Sequence, residues 1–289
     1  MKNFCKTHTL VFILAIILIA LASNLVPGFI QRLLDSNLAF SYIINSICKC
    51  AFSAIPLTLM VKWGYTSRID KQQLTKGFFI GSIFILFCIP NILPLILLEP
   101  IYFSVQWDVI LAAALAAFSI GLLEETAIRG VLFPFFCEKW KEKKHGMIKA
   151  ALISSFLFGA IHLNWSVRCL LMTGTLPLEN FMGNLYQVYY TFCFGILAAG
   201  VTVYAKSIWP VVFWHGICDF GAFIVNGLIP QVSLNYFCEK NILSLQNVLN
   251  TYNILQRFKY GEELIHGCIN LIFVIVGILL IRKAEKVQI

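Results

Sequence analysis

What most constrains this chain is the recurrence of apolar stretches long enough to cross a bilayer. A spanning helix needs about 20 predominantly apolar residues, each adding about 1.5 Å along the axis. Such stretches occur near 9–30, 39–61, 77–98, 107–136, 148–164, 184–205, 207–228 and 264–281. They predict an all-α, polytopic membrane helix bundle of about eight transmembrane helices, because hydrocarbon offers the backbone no water and helices satisfy their own N–H and C=O groups. The fifth stretch is short. The fourth is longer than a span needs, and is expected to tilt or to break into a spanning part and an amphipathic tail around Phe133–Trp140. Composition excludes an ordinary soluble enzyme: 59% of the 289 residues are hydrophobic and 12% charged, against about 25% charged in soluble chains. No Gly-Xaa-Yaa period, heptad array or polar low-complexity tract supports a fibrous or disordered form. Residues 1–289 read as a single integral membrane domain.

A net charge of +8 would suggest nucleic acid as the partner of a soluble domain. Here the basic residues are topology signals instead. Fifteen of them fall in alternate loops and at the two termini, in the groups Lys2–Lys6, Lys62–Lys76, Lys139–Lys149, Lys206 and Arg282–Lys286. The opposite side holds five: Arg32, Arg168, Lys240, Arg257 and Lys259. This positive-inside bias places both termini in the cytoplasm, and the expected setting is the plasma membrane of a bacterium, with membrane lipids as partners and no nucleic acid. Lys2, Lys6 and Ala20-Leu21-Ala22 also resemble a signal peptide, but the apolar run continues to Ile30, which favours an uncleaved first span. The longest polar stretch, 228–263, is expected to form an external loop or cap. The ten cysteines include no Cys-Xaa-Xaa-Cys pair and read as small membrane-helix residues. Cys169 and Cys238 share the external side, where free thiols are favoured over a bridge.

An ionisable side chain at the centre of a spanning helix costs about 2.5–3.5 kcal/mol on the lenient insertion scale, so each needs a partner or a task. Within the predicted spans they are Glu124, Glu125, Arg129, His162, His215 and Asp219, with Lys49 unexplained. Glu125 and Arg129 stand one helical turn apart in the favourable acid-first order. Glu124, about 100° around the helix, is left without a local counter-charge, as suits a general base or acid. Taken alone, this triplet equally describes a helix brace or a proton relay. Phe158 and His162 are one turn apart near the end of the short fifth span, and His215 and Asp219 share one helix face. Four such groups facing lipid would cost on the order of 10 kcal/mol, so they are expected to converge inside the bundle. Two carboxylates and two imidazoles around a cavity can polarise a water or hold a metal.

Three motifs in this order carry a resemblance: Glu124-Glu125-Xaa-Xaa-Xaa-Arg129, Phe158-Xaa-Xaa-Xaa-His162 and His215-Xaa-Xaa-Xaa-Asp219. Residues 121–224 resemble the peptidase core of the CAAX-protease and bacteriocin-processing (CPBP, or Abi) family of intramembrane peptidases. Phe194-Gly195-Ile196-Leu197 through Ser207-Ile208-Trp209-Pro210 resembles that family's approach to its last motif, with Lys206-Ser207 as a tight turn, Ser207 as helix cap and Pro210 in the first turn. The resemblance implies an intramembrane endopeptidase acting on a membrane-associated peptide or a lipidated, CAAX-type or leader, substrate. Glu124 would be the general base on a water positioned with His162. His215 with Asp219 would stabilise the oxyanion, Glu125 and Arg129 would balance charge in the cavity, and Phe158 would be structural. The final residue is Asp219 where the prenyl-protease branch more often has Asn. An ionised Asp only accepts hydrogen bonds, so Asp219 stays protonated, orients His215 or ligates a metal. The reading favours no cofactor. The alternative is zinc on Glu124, His162, His215 and Asp219.

Other patterns do not compete. Glu262-Glu263-Leu264-Ile265-His266 has the Glu-Xaa-Xaa-His spacing of di-iron bundles, which need it twice with two more carboxylates. His-Glu-Xaa-Xaa-His and Gly-Xaa-Ser-Xaa-Gly are absent, against zincin and serine-hydrolase readings. His145 lies in a Lys-rich loop and reads as solvated. The C-terminal Lys286-Val287-Gln288-Ile289 lacks the prenylated Cys, so the chain is not expected to be a CAAX substrate itself. The competing function is a non-enzymatic membrane protein: an immunity or scaffold protein, or a proton-coupled transporter, although the inverted repeats that mark many transporters are not evident.

Overall fold

The computed structural model describes residues 7–34, 38–65, 70–86, 107–163, 167, 170, 174–175, 178–223 and 267–286. Within them the chain forms α1 (Thr9–Leu34), α2 (Leu38–Lys62) and α3 (Lys71–Gly81), which tightens into a 3₁₀ turn at Ser82–Phe84. It continues with α4 (Trp107–Ala127), α5 (Phe133–Lys139), α6 (Gly146–Ile161), α7 (Leu178–Ala205), α8 (Trp209–Phe223) and α9 (Gly267–Lys286). No strand occurs among the described residues.

Among the described residues, five helical runs are long and apolar enough to cross a membrane: Thr9–Gln31, Leu38–Lys62, Trp107–Lys139, Phe181–Ala205 and Gly267–Lys286. They coincide with five of the eight predicted spans. The short fifth stretch is the shorter apolar helix α6. The third and seventh are α3 and α8, whose stretches continue beyond the described residues. The predicted 228–263 cap, the Glu262–His266 pattern, Cys169 and Cys238 lie outside them too. Cys48, Cys50, Cys137, Cys193, Cys218 and Cys268 are not joined in disulfides.

The expected break in the fourth stretch is a widened turn inside a continuous helix. Residues Ile128–Leu132 form a π-helical turn between α4 and α5. Pro134 explains it: lacking an N–H, it cannot bond the carbonyl one turn back, and its ring crowds that carbonyl, so the turn opens by one residue. The run Trp107–Lys139 has 33 residues, or about 50 Å at 1.5 Å per residue, which exceeds a hydrocarbon core of about 30 Å.

The core lies among α4, α6, α7 and α8. Burial separates these from the periphery: 67% of the α7 span and 56% of the α4 span are buried, but only 22% of α1. The outer face of α1, with Leu10, Leu18 and Phe29 exposed, is the apolar surface a lipid-facing helix presents. Small residues set the crossings. Gly121 of α4 lies against the backbone of α8, where a Cβ would come within 3.0 Å of the Val212 carbonyl oxygen and 3.2 Å of the Gly216 nitrogen. Gly159 of α6 similarly abuts the Val188 carbonyl of α7, at 2.7 Å from an added Cβ. Buried hydroxyls turn back onto their own helices, Ser119 to Ala116, Thr126 to Leu122 and Ser154 to Ala151, which satisfies them without water.

One end of the bundle gathers several predicted cationic segments. Lys139 Nζ donates to Thr9 Oγ1 at 2.7 Å, the Tyr65 hydroxyl donates to Glu138 at 2.7 Å, and the Met147 N–H donates to Glu285 at 3.2 Å. These contacts bring the start of α1, the ends of α2, α5 and α9, and the start of α6 to one level. Burial, and then the hydrogen bond to Glu138, raises the Tyr65 pKa above the ordinary phenol range.

Candidate active site

The α4–α8 crossing at Gly121 and Gly216 places Glu124 and Glu125 beside His215. An added Cβ at Gly216 would lie 2.5 Å from the Phe118 ring, so a larger residue would press against that ring and widen the crossing. The α8 start was also legible: the Trp209 N–H donates to Ser207 Oγ at 3.4 Å, and Pro210 sits in the first turn. Lys206 takes the left-handed φ of 50° that the tight turn requires.

Glu125 is completely buried, and its Oε1 accepts from Arg129 Nη1 at 3.1 Å and from His215 Nδ1 at 2.7 Å. The predicted Glu125–Arg129 pair therefore exists and has a further role. The carboxylate fixes the proton on His215 Nδ1 and aims the other ring nitrogen, Nε2, at Glu124 and Asp219, whose nearest oxygens are each 3.6 Å away. Nothing in the spacing of the motifs distinguishes which acid holds the imidazole; that follows from the crossing.

His162 follows the last residue of α6, and its Nδ1 is 3.0 Å from the Phe158 carbonyl oxygen. Because a carbonyl only accepts, Nδ1 is the donor, which leaves Nε2 for the cavity that His162 lines. The Phe158 ring lies at the centre of the constellation. The Arg129 guanidinium sits 4.5 Å from its centroid, and the His162 and His215 rings meet it edge-on at 5.1 and 6.0 Å. Phe194 also packs against His215, at 5.0 Å, and lies beside Phe158 at 6.4 Å. All seven residues singled out in the three motifs thus come together.

They border a cavity of about 310 Å³ lined by Glu124, Phe158, His162, His215 and Asp219 together with Tyr186, Gln187, Tyr190, Thr191 and Phe194 of α7. The α7 wall escaped sequence reasoning because none of its residues is ionised near neutral pH. Its signal was the run 186, 187, 190, 191, 194, polar and aromatic residues at helical spacing within an apolar span.

Lys49, unexplained by the sequence, is held by uncharged partners. It is buried, donating from Nζ to Ser23 Oγ at 3.1 Å and to Asn24 Oδ1, within electrostatic reach of Glu124 and Asp219. As for metal, no group of three or more His, Cys, Asp or Glu side chains among the described residues is arranged to hold an ion. His215 Nδ1 and His162 Nδ1 are committed to Glu125 and to the Phe158 carbonyl.

A helical membrane bundle that brings two carboxylates, Glu124 and Asp219, and two imidazoles, His162 and His215, to one cavity belongs to the class of polytopic proteins with a buried acid–base site. Residues 106–221 match the family model of the Type II CAAX prenyl endopeptidase Rce1-like proteins. The matched region contains all three motifs and agrees with the family resemblance of residues 121–224. The match makes this part of the chain similar to a family of membrane-embedded endopeptidases. Neither curated proteins nor solved structures gave a match.

Proposed function

We propose that the protein is an intramembrane endopeptidase that cleaves a membrane-associated peptide or a lipidated, CAAX-type or leader, substrate. The observation that supports this best is the grouping of Glu124, His162, His215 and Asp219 on one cavity, with His215 held by Glu125 from behind. A proton relay would leave that cavity and its aromatic wall without a purpose, whereas a peptide segment needs both.

In this reading Glu124 takes one proton from a water, while the O–H that remains donates a hydrogen bond to His162 Nε2, which orients the attacking oxygen. The oxygen attacks the scissile carbonyl carbon, forming the new C–O bond. His215 in its imidazolium form donates from Nδ1 to Glu125 and from Nε2 to the developing oxyanion, with Asp219 beside it. Collapse breaks the C–N bond, and Glu124 returns its proton to the leaving amine. Arg129 offsets the charge of Glu125, and the Phe158 ring keeps the guanidinium and both imidazoles in register. The aromatic α7 wall faces the substrate. The Lys-rich end faces the cytoplasm, and both termini lie on that side.

The test is cleavage of a quenched prenylated-peptide and leader-peptide set by the full chain in bilayer nanodiscs, with and without a zinc chelator. Glu124→Ala and His162→Ala are expected to remove cleavage while leaving membrane insertion intact, and Lys71→Ala, on the exposed face of α3, to leave it unchanged. Equal cleavage by Glu124→Ala refutes the assignment, and chelator-sensitive cleavage restored by zinc refutes the metal-free route.

A further inference from the structure

A second cavity lies far from the acid–base site, at the end of the bundle where α5 and α9 stop. It is a crevice of about 760 Å³. Its walls carry five cations from two separate segments: Lys141, Lys143 and Lys144 from the α5–α6 loop, and Arg282 and Lys286 from the end of α9. The single acid on those walls, Glu285, is engaged by the Met147 N–H at 3.2 Å. Lys141 is paired with the neighbouring Glu142 at 3.5 Å, both side chains exposed, which still leaves an excess of positive charge around the crevice that a bound anion would offset.

The loop is held rather than loose. The Lys143 N–H donates to the Trp140 carbonyl and the Gly146 N–H to the Lys143 carbonyl, both at 2.9 Å. A Cβ at Gly146 would lie 2.1 Å from the Trp140 oxygen, so only glycine closes this turn. His145, which lines the crevice, closes the turn in the left-handed region at φ 58° and ψ 34°, a conformation that His adopts more readily than most residues with a Cβ. The α6 N-terminus opens onto the same crevice, and its dipole favours an anion there.

Depth identifies the anion. The candidate span Gly267–Lys286, whose 20 residues match the thickness of a hydrocarbon core, ends at this crevice, which puts the crevice where hydrocarbon gives way to headgroups. Trp140 on its wall is the amphipathic residue typical of that interface.

We infer that the crevice formed by the α5–α6 loop and the end of α9 is a binding site for the phosphate of an anionic lipid headgroup. A free phosphate ion shares the chemistry, but lacks the acyl chains that would hold it at this depth. Bound there, the lipid ties α9, otherwise a peripheral helix, to the turn that starts α6. The site is independent of peptidase activity.

The experiment uses the full chain in neutral detergent, following thermal unfolding and, by native mass spectrometry, retained lipid. Dioleoylphosphatidylglycerol is expected to raise Tm by about 4 °C and to remain bound, while dioleoylphosphatidylcholine does neither. Two variant sets probe the two walls: Arg282→Gln/Lys286→Gln, and Lys141→Gln/Lys143→Gln/Lys144→Gln. Each should lose most of the lipid-induced shift without a fall in its lipid-free Tm, while Lys141→Arg/Lys143→Arg/Lys144→Arg, Lys286→Arg and Lys71→Gln/Lys76→Gln keep the shift. Retention of the full shift by both Gln sets overturns the site. Inorganic phosphate matching the lipid's effect overturns the lipid as the occupant, and equal stabilisation by phosphatidylcholine overturns the role of charge.

Discussion

Replacing Glu125 with Gln removes one charge from a carboxylate that is entirely buried and bonded to both Arg129, at 3.1 Å, and His215, at 2.7 Å. The Arg129 guanidinium is itself only 1% exposed, so it cannot recover its hydration when the counter-ion is lost. Breaking a buried pair from one side costs about 3–5 kcal/mol. At about 2–4 °C per kcal/mol for a chain of this size, the apparent Tm in detergent should fall by about 6–20 °C. Removing both charges should behave differently: in Glu125→Leu/Arg129→Met the desolvation cost goes with them, leaving about 1–3 kcal/mol for the unpartnered His215 N–H. The assay is scanning fluorimetry of wild type, both single variants and the double variant, with nanodisc cleavage alongside. Most of the stability returns in the double variant, and the cleavage does not, because no group then fixes the His215 proton on Nδ1. Additive losses of stability in the double variant, or a Glu125→Gln protein as stable as wild type, refute the reasoning. Cleavage restored together with stability refutes the positioning role of Glu125.

Gly159→Ala sets a Cβ 2.7 Å from the Val188 carbonyl oxygen, a backbone atom that yields only if α6 and α7 separate; a loss of about 1–3 kcal/mol in thermal unfolding and reduced cleavage are expected, and an unchanged Tm contradicts the close approach. Phe158→Leu removes the ring that carries Arg129 and both imidazoles and should lower kcat by tenfold or more while the protein still inserts, as read by nanodisc kinetics. Lys49→Glu places a further carboxylate near Glu124 and Asp219 and should destabilise by at least about 3 kcal/mol, whereas Lys49→Met, which removes a buried charge held by uncharged partners, should change stability much less; urea titration in detergent distinguishes them. Tyr65 has a raised pKa in the folded protein, so its contribution is complete below the ordinary phenol pKa and fades as pH rises above it. Tyr65→Phe should cost about 1–2 kcal/mol near neutral pH and remove that alkaline decline, as followed by Tm between pH 8 and 11.

The sequence by itself determined the membrane class, the helical form and the positions of the polar residues that need partners. Those are local properties: hydropathy over about 20 residues and one-turn spacings such as Glu125 to Arg129 or His215 to Asp219, which survive unchanged because a helix fixes what lies one turn away. The helix starts at Ser207-Trp209-Pro210 were legible for the same reason. What the tertiary structure decided are relations between helices. Motif spacing made Glu125 a partner of Arg129 alone; the α4–α8 crossing also made it the holder of His215, since two backbones meet that closely only where Gly121 and Gly216 face each other. Lys49, which hydropathy left unexplained, found Ser23 and Asn24 on α1. The α7 wall and the basic crevice became visible only when separate segments were brought to one depth, because side-chain periodicity says which residues share a face and never which face it meets.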